Sequence, residues 1–260
     1  MMILVKLGGS VITDKGSYRT FREEAMTRLA GEMSKAHQDI VLVHGAGSFG
    51  HVLAKKHRLQ EGFHSPAQIS GMAKVMLDVR DLNLQVMKAL DQADLPAASI
   101  PPSACVTLEN GELARIDLET FSNYLELGIM PVTFGDVTLD SERRFGICSG
   151  DQLMLVLAKR LRPERIIFCA DVDGVFTADP NQDPQARLIE NVERQTLGSL
   201  PRTARHDDVT GSIYGKIERM LAMAAYSRTT MVINGTAPGR LEGALSGERV
   251  IGSYVSGGGA

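Results

Sequence analysis

The chain has 260 residues, 43% of them hydrophobic and 23% charged, the proportions of a folded domain with a sizeable core. Its 28 Lys and Arg stand against 31 Asp and Glu, a net charge of −3 that excludes the broad basic footprint of a nucleic-acid binder. No apolar run reaches membrane-span length, and three widely spaced cysteines (Cys105, Cys148, Cys169) offer neither a C-x-x-C pair nor zinc spacing, so a reducing cytoplasm is the expectation.

The apolar start MMILVKLGGSV is too short and too lysine-interrupted for a signal peptide, and its residues 2–7 read as a strand running into Gly8-Gly9-Ser10. A polar loop, TDKGSYRT, leads to a helix over 21–37, where Phe21, Ala25, Met26, Leu29, Ala30 and Met33 recur at helical spacing. A second strand at 40–43 enters a glycine loop, VHGAGSFGH. The longest helical pattern covers 67–92, with Ile69, Met72, Val75, Met76, Val79, Leu82, Val86 and Leu90 along one side. Strands are predicted at 97–100, 130–134, 165–170 and 230–233, and hairpins at 105–116, turning at Asn110-Gly111, and at 136–147. Helices are predicted at 118–127, 150–161, 211–227 and 238–246, and the tail 256–260 reads as disordered. Strands alternating with helices predict an α/β layered sandwich with a mainly parallel sheet, the hairpins adding antiparallel strands at its edge.

Gly45, Gly47 and Gly50 satisfy G-x-G-x-x-G after a strand, the spacing of a dinucleotide turn. That reading also requires an acid about 20 residues further on to hold a ribose. The first acid near that distance is Asp78, inside a helical pattern, and the loop follows the second strand rather than the first. NAD is disfavoured. Glycines after a strand also let backbone N–H groups converge on an anion without Cβ obstruction. Two such loops, at 8–10 and 45–50, end two strands that would share one ligand-binding edge if adjacent and parallel. The segment GSIYGKI at 211–217 lacks Walker A spacing, so a phosphate site here is not a P-loop. Lys6, Lys15 and Lys216 lie in or beside these segments; singly each reads as a solvated lysine, together they suit a very negative ligand.

Six segments carry a resemblance over nearly the whole chain: KLGGSVITDK (6–15), VHGAGSFGH (43–51), PVTFGDV (131–137), GICSGDQ (146–152), DVDGVFTADP (171–180) and DVTGSIYGK (208–216). They resemble the amino acid kinase superfamily and, within it, the isopentenyl phosphate kinase family. The resemblance implies one domain, 1–260, in an open three-layer αβα sandwich, with an acceptor-phosphate lobe (1–148) and an ATP-binding lobe (149–260). It implies phosphorylation of isopentenyl phosphate to the diphosphate by direct in-line transfer, with ATP and Mg²⁺, in a cytoplasmic homodimer serving isoprenoid biosynthesis. Lys6, Gly8, Gly9 and Ser10 would line the transferring phosphates, and Lys15 would stabilise the transition state. Ala46, His51 and Gly150 would hold the acceptor phosphate, with Gly47 between the two ligands. Asp171, Phe176, Asp179, Gly211 and Lys216 would form the nucleotide site.

Asp151 repels a phosphate, so it reads either as a helix cap together with Ser149 or as an orienter of Lys6 and Lys216; both readings stay open. His51 alone reads as a surface histidine opening a helix, and with the resemblance as a donor to the acceptor phosphate, whereas His44 and His64 keep the plain reading. Met72, Val75, Val137 and Ile147 are candidate walls for a five-carbon tail, and no residue is expected to ligate a metal directly. The alternatives are a kinase of the same fold with another acceptor (UMP, a carboxylate, carbamate or a phosphonate such as fosfomycin) and a nucleotide-binding storage or regulatory protein. Retention of all three lysines argues for catalysis.

Overall fold

Two buried apolar strands, β1 (Met2–Leu7) and β2 (Asp39–His44), pair in parallel at the centre of a computed structural model that describes residues 1–199 and 213–256. Between them run the single turn α1 (Gly9–Ile12) and α2 (Glu23–Met33), which ends at Met33 rather than His37. Helix α3 (Gly47–Lys56) leaves the second glycine loop directly, and α4 (Gln68–Asp91) follows a 3-10 turn at Leu59–Glu61. Next come β3 (Ala97–Ser99), α5 (Pro102–Cys105), β4 (Val106–Glu109), β5 (Glu112–Ile116), α6 (Glu119–Glu126) and β6 (Met130–Phe134). Then β7 (Asp136–Asp140), β8 (Arg144–Cys148), α7 (Gly150–Leu161) and β9 (Arg165–Ala170) lead into the C-terminal part. There β10 (Asn191–Val192), α8 (Thr196–Ser199), α9 (Ile213–Ala224), β11 (Thr229–Asn234), α10 (Arg240–Ser246) and β12 (Gly252–Val255) are described.

The main sheet has eight strands in the order β10-β12-β11-β9-β1-β2-β6-β3, every neighbouring pair parallel except β11 with β12. Strand parity sorts its two faces. On β1, Ile3, Val5 and Leu7 pack with α2, α4 and α10, while Leu4 packs with α7 and α9, which makes three layers. The expected hairpins form, with Asn110 and Gly111 both at positive φ (50° and 85°) as a two-residue turn requires. They do not extend the main sheet, however. A single residue, Gly135, separates β6 from β7, and the chain turns there into a second sheet of order β5-β4-β7-β8. The antiparallel strands at that end of the main sheet are instead β12, a four-residue strand too short and glycine-led to read from its pattern, and the two-residue β10 outside it.

The apolar stripe of α4 also divides. Leu82, Val86 and Leu90 enter the layer beneath β1 and β2, whereas Val75 and Val79 join Phe134, Val137 and Phe145 in a separate cluster against the small sheet. Ile69, expected on the same stripe, is 56% exposed. In that first turn the inward positions belong to Gln68, whose amide bonds the His57 and Gly62 carbonyls, and to Gly71, which lies against the His57 ring.

Candidate active site

The carboxyl ends of β2, β1 and β9 lie side by side, and the loops at 45–47, 8–10 and 171–179 leave from that edge. The glycines there are dictated by backbone contact. A Cβ on Gly9 would stand 2.5 Å from Gly47 N, and one on Gly45 would stand 2.6 Å from Gly9 N. Gly47 adopts φ +49, where a Cβ would strike the Thr13 hydroxyl at 2.1 Å. Thr13, which sequence reasoning passed over, ties the two loops together: fully buried, its Oγ1 donates to the Gly9 carbonyl (2.7 Å) and accepts from Ser48 N (3.0 Å). A threonine four residues past a glycine pair carries no periodic or motif signal, which is why it was missed.

The N–H groups of Gly9, Ser10, Ala46 and Gly47 take no acceptor among the described residues. Gly150 opens the 12-residue α7 close by, its Cα placed so that a Cβ would lie 3.3 Å from Lys6 Cε and 3.8 Å from the His44 carbonyl. N–H groups without an acceptor and the amino ends of α3 and α7 therefore meet at one place, an arrangement that favours anions.

Lys6 follows from strand parity. It lies on the Leu4 face of β1, opposite Val43 and Phe168, and so meets the start of α7, where its Nζ pairs with Asp151. The cap of α7 is Ser149, in a reciprocal capping box with Gln152, which leaves the buried Asp151 carboxylate for Lys6. Burial alone would push the Asp151 carboxyl up; the charge and hydrogen bond of Lys6, helped by Lys216 on α9 and by Arg219, hold it below the usual carboxylate range. Arg219 is a second residue the sequence did not single out, since only the packing of α9 against α7 brings it near.

Lys15 reaches across the edge to Asp171, with Nζ 2.9 Å from Oδ2. Partial burial opposes ionisation of that carboxyl, and the Lys15 hydrogen bond and charge, with a hydrogen bond from the Ser10 side chain, bring it down. His51 is exposed on α3, one turn beyond Gly47. Phe176 bridges to Leu188, and Asp179 accepts from Asn181 N (3.0 Å), so the contacts described for both stay within the 171–190 segment. Gly211 lies outside the described residues.

The four candidate tail-pocket residues fall into one cluster: Val75 and Val137 buried, Met72 and Ile147 half-buried, with Ala46 of the glycine loop at its margin. Burial pushes the Cys105 thiol up to about 11 and that of Cys169 to about 12, and raises that of Cys148 as well, which disfavours the thiolate at all three.

Paired glycine loops at the carboxyl edge of a parallel sheet, with lysines and helix amino ends converging on them, make an α/β site whose positive charge and N–H groups suit anions. A family model described as the amino acid kinase family matches residues 1–234. Isopentenyl phosphate kinase of Methanothermobacter thermautotrophicus is 40% identical, over 98% of this chain and 99% of that one. Isopentenyl phosphate kinase of Thermoplasma acidophilum is 35% identical, over 98% of this chain and 100% of that one. An X-ray structure of isopentenyl phosphate kinase matches with a TM-score of 0.87 at 37% identity, over 98% of this chain and 100% of that one. The chain belongs to the amino acid kinase family, and within it to the isopentenyl phosphate kinases.

Proposed function

We propose that this chain transfers the γ-phosphoryl group of ATP to isopentenyl phosphate, giving isopentenyl diphosphate and ADP, as one domain whose acceptor lobe spans 1–148 and whose ATP lobe spans 149–260. The observation that carries the reading is the contact of the two glycine loops, Gly9 against Gly47, beside the buried Lys6–Asp151 pair. A phosphate monoester has a second pKa of about 6, so the attacking oxygen is already ionised at neutral pH and no general base is required. The difficulty is repulsion. Two unit charges about 4 Å apart cost about 1 kcal/mol in water and about 4 at an effective dielectric of 20, and two dianions raise this roughly fourfold.

Lys6 and the N–H groups of Gly9 and Ser10 would face the transferring phosphates beside Gly8, whose own N–H is held by the Cys169 carbonyl (2.8 Å), with Lys15 and Lys216 taking up charge on either side. Ala46, His51 and Gly150 would hold the acceptor phosphate, and Gly47 would touch both ligands. Asp171, Phe176, Asp179 and Gly211 would complete the nucleotide site. No cluster of three acidic, histidine or cysteine side chains that could hold a metal occurs among the described residues. The Mg²⁺ of the reaction would be carried on the ATP phosphates, where it would neutralise charge. The walls offered beside the acceptor site are apolar side chains, which suit a prenyl tail better than a uridine base.

Three free cysteines fit a reducing cytoplasm, and no helix among the described residues is long and apolar enough to cross a membrane. A homodimer is part of the proposal: Ile69, Leu77 and Leu84 recur on one exposed face of α4 and offer a second copy an apolar surface. Sedimentation velocity tests it. The activity is tested by ADP release with isopentenyl phosphate, UMP and fosfomycin side by side, for wild type and His51→Ala. Turnover confined to isopentenyl phosphate and lowered about 100-fold in the variant is expected; turnover with UMP instead would overturn the assignment of the apolar cluster.

A further inference from the structure

His44 closes β2 immediately before the glycine loop and is completely buried. Its ring stacks on Phe134, with centroids 5.1 Å apart and planes 20° from parallel. Nδ1 lies 3.1 Å from the Gly45 carbonyl oxygen, and Nε2 lies 3.2 Å from the Asn83 amide nitrogen. Asn83 Oδ1 in turn accepts from the Ser99 hydroxyl. These partners leave one assignment of protons. An amide nitrogen only donates, so Nε2 is the bare acceptor; a carbonyl only accepts, so Nδ1 carries the hydrogen. Ser99 thus donates to Asn83, Asn83 to His44, and His44 to Gly45, each bond running in the same sense and polarising the next. Burial, which pushes the imidazole down to about 4, keeps it neutral at working pH.

The acceptor at the end of this chain is what gives it meaning. A loop that serves an anion must present N–H groups and turn its carbonyl dipoles elsewhere. In the two glycine loops that requirement is met carbonyl by carbonyl. Gly8 O receives Val11 N (2.9 Å), Gly9 O receives Thr13 N (2.8 Å), and Ala46 O receives Phe49 N (3.1 Å) and Gly50 N (3.2 Å). Gly45 O receives no backbone N–H among the described residues, and the His44 ring supplies its donor instead.

We infer that the Ser99–Asn83–His44 relay holds the Gly45 carbonyl away from the phosphates and so sets the N–H groups of Ala46 and Gly47 toward them. His44 is a positioning residue and Asn83 and Ser99 are its supports. The relay also ties the loop to α4, the helix that carries Met72 and Val75, so the phosphate cradle and the apolar cluster share one anchor. The inference rests on the kinase reading of the site.

The test compares wild type with His44→Phe, His44→Asn and His44→Gln. Phenylalanine keeps the stacked ring and loses the donor. Asparagine places an amide nitrogen near the Nδ1 position, and glutamine places one near Nε2. With the thermal midpoint within a few degrees of wild type at pH 7.5, His44→Phe is expected to raise KM for isopentenyl phosphate and for ATP about tenfold, with a smaller change in kcat, as loss of one buried hydrogen bond implies. Asparagine restores most of the affinity and glutamine does not. Ser99→Ala, at an exposed position two hydrogen bonds from the ring, leaves the fold intact and raises both KM values about twofold. Wild-type KM values in both His44→Phe and Ser99→Ala, or an asparagine variant as impaired as phenylalanine, would overturn the relay. Calorimetric titration of ADP into the same proteins reads the cradle without the acceptor. A wild type inactive on isopentenyl phosphate but with ADP affinity lowered in His44→Phe would therefore sink the substrate reading and keep the relay.

Discussion

Two lysine–aspartate pairs flank the glycine cradle and differ chiefly in how much water reaches them. The Lys6 and Asp151 side chains are 17% and 8% exposed; those of Lys15 and Asp171 are 68% and 37% exposed. In the more buried pair little water reaches either charge, so separating them would leave both poorly solvated. In the exposed pair, solvent and salt screen the attraction, and the lysine exchanges one anionic partner for another at little cost. The cradle therefore has a preset floor and a responsive rim. Lys6 is held in place before any ligand arrives, while Lys15 is free to trade Asp171 for a phosphate.

The largest effect belongs to the floor. Asp151→Asn leaves Lys6 buried without its counter-ion, and we expect a stability loss of about 3 kcal/mol in urea melts together with a fall in kcat of about 100-fold. The pH dependence has a definite sign. Because the Asp151 carboxyl is held below the ordinary range, its contribution is complete above the unfolded value of about 3.9 and disappears as pH falls through the lower folded value. A variant as stable as wild type at pH 7 would mean that Lys6 readily finds another partner, and the contrast between floor and rim would fail.

His44 sharpens the same contrast from the other side of the loop. Its ordinary pKa of 6.5 drops to about 4 on burial, and its neighbours Asn83, Gly45 and Phe134 carry no charge. Below pH 6.5 the unfolded chain takes up a proton that the folded chain refuses. Stability from this group is therefore full above pH 6.5 and falls by roughly 3 kcal/mol by pH 4. Urea melts of wild type and His44→Phe at pH 7, 5.5 and 4.5 isolate the term as the difference between two slopes. Parallel slopes would show that the imidazole titrates normally and that water reaches the floor.

How far the sequence led differs for floor and rim. The paired glycine loops, the adjacent parallel strands and Lys6 were legible, because strand periodicity and a glycine's freedom are local properties. The boundaries of α7 at 150–161 were legible for the same reason, Ser149 and Gln152 being a capping box written in sequence. Asp151 kept two readings open, since its choice between cap and ion pair depends on a strand 145 residues away. The second sheet was hidden by one residue, Gly135, whose turn decides whether β7 continues the main sheet or leaves it. Thr13 and the His44 relay were hidden altogether: hydrogen bonds across 35 and 39 positions leave no pattern in the chain. The plain reading of His44 foresaw neither its complete burial nor its neighbours.

The smallest effect is expected at the rim, and it separates two roles for Asp171. If this carboxylate only parks Lys15 between turnovers, Asp171→Asn shifts stability by less than about 1 kcal/mol and kcat by a few-fold. The difference should then shrink in 0.5 M salt, where the screening length falls to about 4 Å and the wild-type pair is itself weakened. If Asp171 instead contacts the nucleotide, as the family resemblance implies, KM for ATP rises by a factor that salt does not close, while KM for the acceptor stays put. The hydrogen bond from the Ser10 side chain to the same carboxylate gives the second outcome a structural route, because Ser10 belongs to the first glycine loop. A salt-insensitive, nucleotide-specific loss would move Asp171 from rim to floor and leave Lys15 as the responsive charge in the cradle.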